Sequence, residues 1–219
     1  MQLFRYALGV VALIAMTLDA RAQQSLPLID IKKVDPTIVV SLRYASAKNI
    51  TRHALYPANM PALLQPEVAQ RLAAAQAMLA RCGYRLQIWD AYRPPAAQLA
   101  LWRAVPNDDY VANPNVGAGS LHSWGIAVDA TLIDTWNNPV KMPSDFDDLT
   151  PAAMWRYRGD DPLVRAHLHL LQFTMGQAGF YGLRTEWWHF TIEGWEKYLP
   201  PEMAKRAAQV LGTSWQGKL

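Results

Sequence analysis

Two short stretches gather the residue types that hydrolytic chemistry needs. "TEWWHF", Thr185 to Phe190, sets Glu186 three residues before His189 with two tryptophans between them. "GAGSLHSWGIAVDA" brings a Gly-rich stretch to His122 and reaches Asp129 seven residues later. Imidazole nitrogens and a carboxylate oxygen suit zinc, and a catalytic zinc takes three protein ligands with a fourth position open to water. His122 and Asp129 supply two ligands and His189 the third. Zinc lowers the pKa of its water to about 7, and a nearby carboxylate can accept that proton and pass it to a leaving amine. Glu186 has the type and spacing for that work. The Glu-x-x-His order differs from the helical His-Glu-x-x-His arrangement, so the expected site stands on a loop and a strand.

Plainer readings stand beside this one. A lone histidine in an apolar strand is commonly a hydrogen-bonded core residue, and a lone glutamate a solvated turn residue. Strand alternation turns Trp188 away from His189, so at least one of Trp187 and Trp188 is core rather than cleft wall. His167 and His169 lie two apart on a helical pattern and point apart, and His53 sits in a loop.

The elements that must position these residues follow from periodicity. "QPEVAQRLAAAQAMLARCG" reads as a helix, with Pro66 in its first turn, Val68, Leu72, Ala75 and Leu79 at 3–4 spacing, and Gly83 as its stop. "YRLQIWDAY" reads as a strand, with Leu86 and Ile88 on one face and Gln87 and Trp89 on the other. Pro94 and Pro95 open a further helix, which leaves Arg93 at a strand-to-helix junction where side chains are aimed into clefts. Pro106 to Ser120 is a long polar loop, "GIAVDATLI" a strand carrying Asp129, "DPLVRAHLHLLQFTMGQAGF" a helix stopping at Gly179, and "EWWHFTIE" a strand carrying His189. The expected fold is a single α+β domain, a mainly antiparallel sheet flanked by helices with a zinc cleft.

Composition narrows the partners. The net charge is +3 over 219 residues, and Lys and Arg are scattered rather than clustered, so no nucleic-acid surface is expected. Residues 1–22 read as a secretory signal: Arg5, an apolar run from Tyr6 to Leu18 too short for a span of roughly 20 residues, and a small-x-small site at Ala20-Arg21-Ala22. The mature catalytic domain is then 23–219, exported to the periplasm or beyond, with no stable membrane insertion after cleavage; an uncleaved anchor is the alternative. The single cysteine, Cys82, has no partner for an intramolecular disulfide and is expected to be a small buried apolar residue.

At this point the motifs do more than fit a generic zinc site. "SLHSWGIAVD" resembles the Ser-x-His-x-x-Gly-x-Ala-x-Asp motif, and "EWWH" the Glu-x-x-Trp-His motif, of the zinc D-alanyl-D-alanine peptidases. "LRYASAKN" and "IWDAYRP" are similar to segments of the D-Ala-D-Ala dipeptidases of the vancomycin-resistance type, and the likeness runs from about Leu42 to Phe190. The resemblance implies that His122, Asp129 and His189 bind one zinc ion per chain and that Glu186 is general base and acid. It implies that Arg93 stabilises the oxyanion, against a plainer reading as an ion-pair partner of Asp90. Tyr44, Ser120 and Asp147 match positions that read the ammonium and carboxylate of a small D,D-dipeptide.

Asp147 separates the readings, because a buried carboxylate facing an ammonium favours a free N-terminus over an acylated one. The segment "TRHALYPANMPALL" departs from the family's pattern and bears on the near edge of the pocket. Rival readings are a D,D-carboxypeptidase or peptidoglycan endopeptidase with the same chemistry, and a non-catalytic zinc or peptidoglycan-binding module.

Overall fold

The computed structural model describes residues 27–211, so the expected leader over 1–22 lies outside the described residues. In chain order the elements are β1 (Ile29–Asp30), α1 (Ile31–Val34), β2 (Val39–Val40), β3 (Leu63–Leu64), α2 (Pro66–Arg81), β4 (Tyr84–Asp90), α3 (Pro95–Ala104), β5 (Ala127–Asp134), α4 (Pro162–Gln177), β6 (Phe180–Leu183), β7 (Glu186–Ile192) and α5 (Pro201–Leu211). Five strands form one sheet in the order β2-β4-β5-β7-β6. Only β2 pairs in parallel, and the other three pairings are antiparallel, which bears out the expected α+β class. Among the described residues no helix is long and apolar enough to cross a membrane.

Helix α2 forms where the spacing predicts. Pro66 lies in the first turn, and Val68, Leu72, Ala75 and Leu79 are buried on one face. Gln76 sits on that face and accepts from Leu86 N–H at 2.8 Å, which ties the helix to β4. The expectation of a buried Cys82 is corrected: it is the C-cap of α2, just before Gly83 at φ 80°, and it is exposed, because the chain turns at the surface there. Helix α4 starts at Asp161, whose carboxylate accepts from Leu163 and Val164 N–H, and is followed by Gly179 at φ 82°.

The central strands set the register of the site. Asp129 of β5 lies directly opposite His189 of β7, so both side chains leave the same face of the sheet. On the other side Ile88 pairs with Ala130 but Asp90 with Asp129, so β4 carries one extra residue there. That bulge lets Asp90 stand beside Asp129, whereas regular alternation would put it on the face of Ile88. Aromatic contacts back this region: Trp89 edge-on to Trp187 at 5.5 Å, Phe146 tilted on Trp188 at 5.6 Å and Phe146 edge-on to Tyr44 at 5.4 Å.

His122 lies on a single 3-10 turn, Leu121–Trp124, rather than at the end of an irregular loop. Gly125 closes that turn at φ 67°, in the left-handed region, and its carbonyl accepts from Gln65 N–H at 2.9 Å. A Cβ there would stand 3.4 Å from the Gln65 backbone nitrogen and 2.5 Å from the Leu28 side chain. Gly125→Ala is expected to cost about 1–2 kcal/mol from the left-handed backbone alone, read as a lower midpoint in urea unfolding.

Candidate active site

Three polar atoms meet at the centre of the sheet's face. His122 Nε2, His189 Nδ1 and Asp129 Oδ1 lie 3.1 to 3.3 Å from one another. All three residues are buried, and they are the only His, Cys, Asp or Glu cluster among the described residues with this geometry. Tetrahedral bonds of about 2.0–2.1 Å place ligand atoms about 3.3–3.4 Å apart. The observed triangle therefore fits a zinc-sized ion, and the sequence-derived trio is brought together as expected.

Outer bonds fix which nitrogen faces the centre. The Ala91 carbonyl can only accept, so at 2.8 Å it holds the proton on His122 Nδ1 and leaves the Nε2 lone pair for a metal. His189 turns the other way: Nε2 bonds Thr191 Oγ1 at 3.1 Å and Nδ1 faces the cluster, so a metal on Nδ1 would leave Nε2 to donate to that hydroxyl. Thr191 was not legible as a site residue, although its position two along the same strand from His189 puts it on the same face. Burial raises the Asp129 pKa, but the two histidines outweigh it and hold the carboxyl well below the usual range.

Glu186 is the first residue of β7, at the mouth of the β6–β7 turn. Residues three apart on a flat strand face opposite ways, yet at this turn Glu186 Oε2 comes within 3.9 Å of His189 Nδ1. Its side chain is 15 % exposed. Burial, reinforced by the charges of Asp129 and Asp147, pushes its pKa up to about 8. Trp188 lines the same cleft, while Trp187 is core and donates to Ser144 Oγ at 3.0 Å.

Arg93 forms the ion pair with Asp90 and also reaches the cleft. Its Nε and Nη2 bond Asp90 Oδ2 at 2.9 and 2.7 Å, which is the ion pair, and the residue also lines the cleft, with Nη2 at 3.7 Å from Asp129 Oδ2. Its guanidinium lies over the Tyr44 ring at 4.9 Å. Tyr56 donates to the other oxygen of Asp90 at 2.7 Å. Tyr56 comes from the segment that departs from the family pattern, and that segment folds back on the Tyr44 carbonyl through Leu55 and Tyr56 N–H. No sequence signal marked Tyr56.

Asp147 and Ser120 also line the cleft, a cavity of about 430 Å³. Asp147 adopts φ 58°, accepts from Tyr44 O–H at 3.1 Å and from Ile50 N–H at 2.9 Å, and has its pKa raised by burial to about 6. Tyr44 thus reaches the pocket mainly by holding Asp147. All eight sequence-derived residues converge on one cleft.

The profile of a peptidase family, described as D-ala-D-ala dipeptidase, matches residues 24–205. The chain is similar to the D-alanyl-D-alanine dipeptidase of Escherichia coli, 36 % identical over 75 % of this chain and 84 % of that protein. It is also similar to the D-alanyl-D-alanine dipeptidases of Enterococcus faecalis, 32 % identical over 57 % of this chain and 70 % of that one, and of Enterococcus faecium, 31 % identical over 58 % and 71 %.

The outer bond to His189 gives a direct test of the metal centre. Thr191→Val keeps shape but leaves the Nε2 proton unpaired, and metal affinity is expected to fall roughly tenfold, measured by competition with a chromophoric chelator.

Proposed function

The chain belongs to the peptidase family described as D-ala-D-ala dipeptidase, and we propose that it hydrolyses the D-alanyl-D-alanine dipeptide with one zinc ion held by His122, Asp129 and His189. The observation that carries this reading is the buried His-Asp-His triangle with Glu186 at its edge and Asp147 lining the same cleft. When bound, zinc supplies Lewis acidity toward the scissile carbonyl and eases deprotonation of the attacking water.

The chain's own residues do the rest. Glu186, its carboxylate 3.9 Å from a ligand nitrogen, accepts the proton of the attacking water and returns it to the leaving amine. A buried carboxyl with a raised pKa suits a group that must both take and give a proton near neutrality. Arg93 is held by Asp90 through Nε and Nη2 and by Gln98 through Nη1, and its guanidinium lines the cleft beside Asp129. From there it stabilises the oxygen that gains charge as the carbonyl carbon becomes tetrahedral.

Asp147 pairs with the substrate ammonium, oriented by Tyr44 and the Ile50 amide. An acylated substrate would bring no cation to that half-buried carboxylate, which favours a free dipeptide over a stem peptide. Ser120 offers its hydroxyl to the dipeptide carboxylate. The N-terminal pattern of Arg5, an apolar run and Ala20-Arg21-Ala22 supports an exported enzyme acting in the cell envelope.

Zinc-loaded protein from Gln23 onward is expected to cleave D-Ala-D-Ala, lose that activity on chelation and regain it with zinc. Preferred cleavage of N-acetyl-D-Ala-D-Ala or of a pentapeptide would move the chain to the carboxypeptidase reading, and bound metal with no turnover to the binding-module one. Asp147→Ala should reduce kcat/KM on the free dipeptide far more than on the acetylated one; equal losses would remove the ammonium role.

The pH dependence follows from Glu186. Its carboxyl is protonated below about pH 8 in the metal-free chain, and a divalent cation nearby favours the charged form. Metal uptake therefore releases a proton, and affinity rises with pH up to about 8. Calorimetry in buffers of different ionisation enthalpy is expected to count fewer protons released at pH 7 for Glu186→Gln, which should still bind metal but lose turnover.

A further inference from the structure

Gln98 is buried in the first turns of α3, five residues after Arg93, and both ends of its amide are engaged. Its Oε1 accepts from Arg93 Nη1 at 2.9 Å. Its Nε2 donates to the Ala112 carbonyl at 2.6 Å. Ala112 belongs to the long loop between α3 and the His122 turn, which contributes Tyr110, Val111, Val116 and Ala118 to the cleft wall. The loop is fastened once more, where Trp124 Nε1 donates to the Ala118 carbonyl at 2.8 Å.

We propose that Gln98 is a positioning residue that couples the cleft loop to Arg93, so that the loop's seat and the aim of the guanidinium are set by one buried amide. The inference rests on the dipeptidase reading for its kinetic part. Asp90 holds Nε and Nη2 on a single oxygen, and the Tyr44 ring lies against the face of the guanidinium, which leaves Nη1 to be held from elsewhere. The bond to Gln98 holds that third nitrogen, so contacts at Nε, Nη2 and Nη1 together fix the plane. With the plane fixed, the guanidinium keeps a constant aim into the cleft it lines. Because the same amide holds Ala112, displacement of the loop draws Gln98 with it and releases Arg93. A loop that seats only on the right substrate would then align the oxyanion donor only when that substrate is in place.

The two ends of Gln98 can be separated by substitution. Gln98→Met approximates the shape and removes both bonds. Gln98→Glu keeps an acceptor for Arg93 and loses the donor to Ala112. Steady-state kinetics of the zinc-loaded protein on D-Ala-D-Ala are expected to show kcat roughly tenfold lower in Gln98→Met. Gln98→Glu should recover most of that kcat and instead raise KM several-fold. In an Arg93→Lys background, which keeps a cation beside Asp90 without the planar fork, Gln98→Met should cost no more than about twofold in kcat, because the group it positions is gone.

Hydrogen exchange of the amides in the loop after Ala112 is read on the same proteins and needs no turnover. It should quicken in both Gln98 variants. Unchanged kcat in Gln98→Met, an equal kcat loss in the Arg93→Lys background, or unchanged loop exchange in both variants would overturn the coupling. If the wild-type protein cleaves no D,D-dipeptide, the functional reading fails, and loop exchange alone decides whether Gln98 is the tether. Should Gln98→Met not fold, Gln98→Glu carries the test through KM and loop exchange.

Discussion

Two imidazoles and a carboxylate held 3.1 to 3.3 Å apart, out of water, are the constraint to which the rest of the structure answers. Three such groups do not gather without a reason, since each loses its hydration and the lone pairs crowd one point. The surrounding bonds show how the chain keeps them there. Ala91 takes the outward proton of His122, Thr191 bonds the outward nitrogen of His189, and the strand register fixes Asp129 opposite His189 before any side chain is chosen. A metal ion held there would supply the positive charge that the ligand atoms face.

Around this centre lies a ring of charge that also has to be held. Asp90 is wholly buried and is satisfied by Arg93 on one oxygen and Tyr56 on the other. Burial would lower the charge state of Arg93, and the neighbouring Asp90 keeps it cationic. Removing either member would leave an unpaired buried charge, a loss of several kcal/mol in comparable pairs. The ion pair that locks the arginine therefore also sets how it lines the cleft.

Glu186 and Asp147 carry the opposite sign of this effect. Burial raises both pKa values, to about 8 and about 6. A carboxyl with a raised folded pKa stabilises the fold below its ordinary range, and that contribution is lost as pH rises through the folded value. At neutral pH, without metal or substrate, these two groups oppose folding. Their retention in a cleft fits groups kept for chemistry, to be compensated when a cation and an ammonium arrive.

Much of this was legible in the sequence. The 3–4 spacing of Val68, Leu72, Ala75 and Leu79 determined α2, because a helix with one apolar stripe can bury it in only one way. Alternating β-branched residues determined β5, and the Ser-x-His-x-x-Gly-x-Ala-x-Asp and Glu-x-x-Trp-His patterns identified His122, Asp129, Glu186 and His189 by residue type and order. The tertiary structure decided what depends on contacts distant in sequence: the β4 bulge that turns Asp90 toward Asp129, the tautomer that Ala91 imposes on His122, and the roles of Tyr56, Gln98 and Thr191. It also decided the exposure of Cys82 and the pairing of Tyr44 with Asp147, 103 residues apart. Periodicity and motifs report on local backbone and residue chemistry, whereas the aim of a side chain is set by register and by partners that only the folded chain brings within bonding distance.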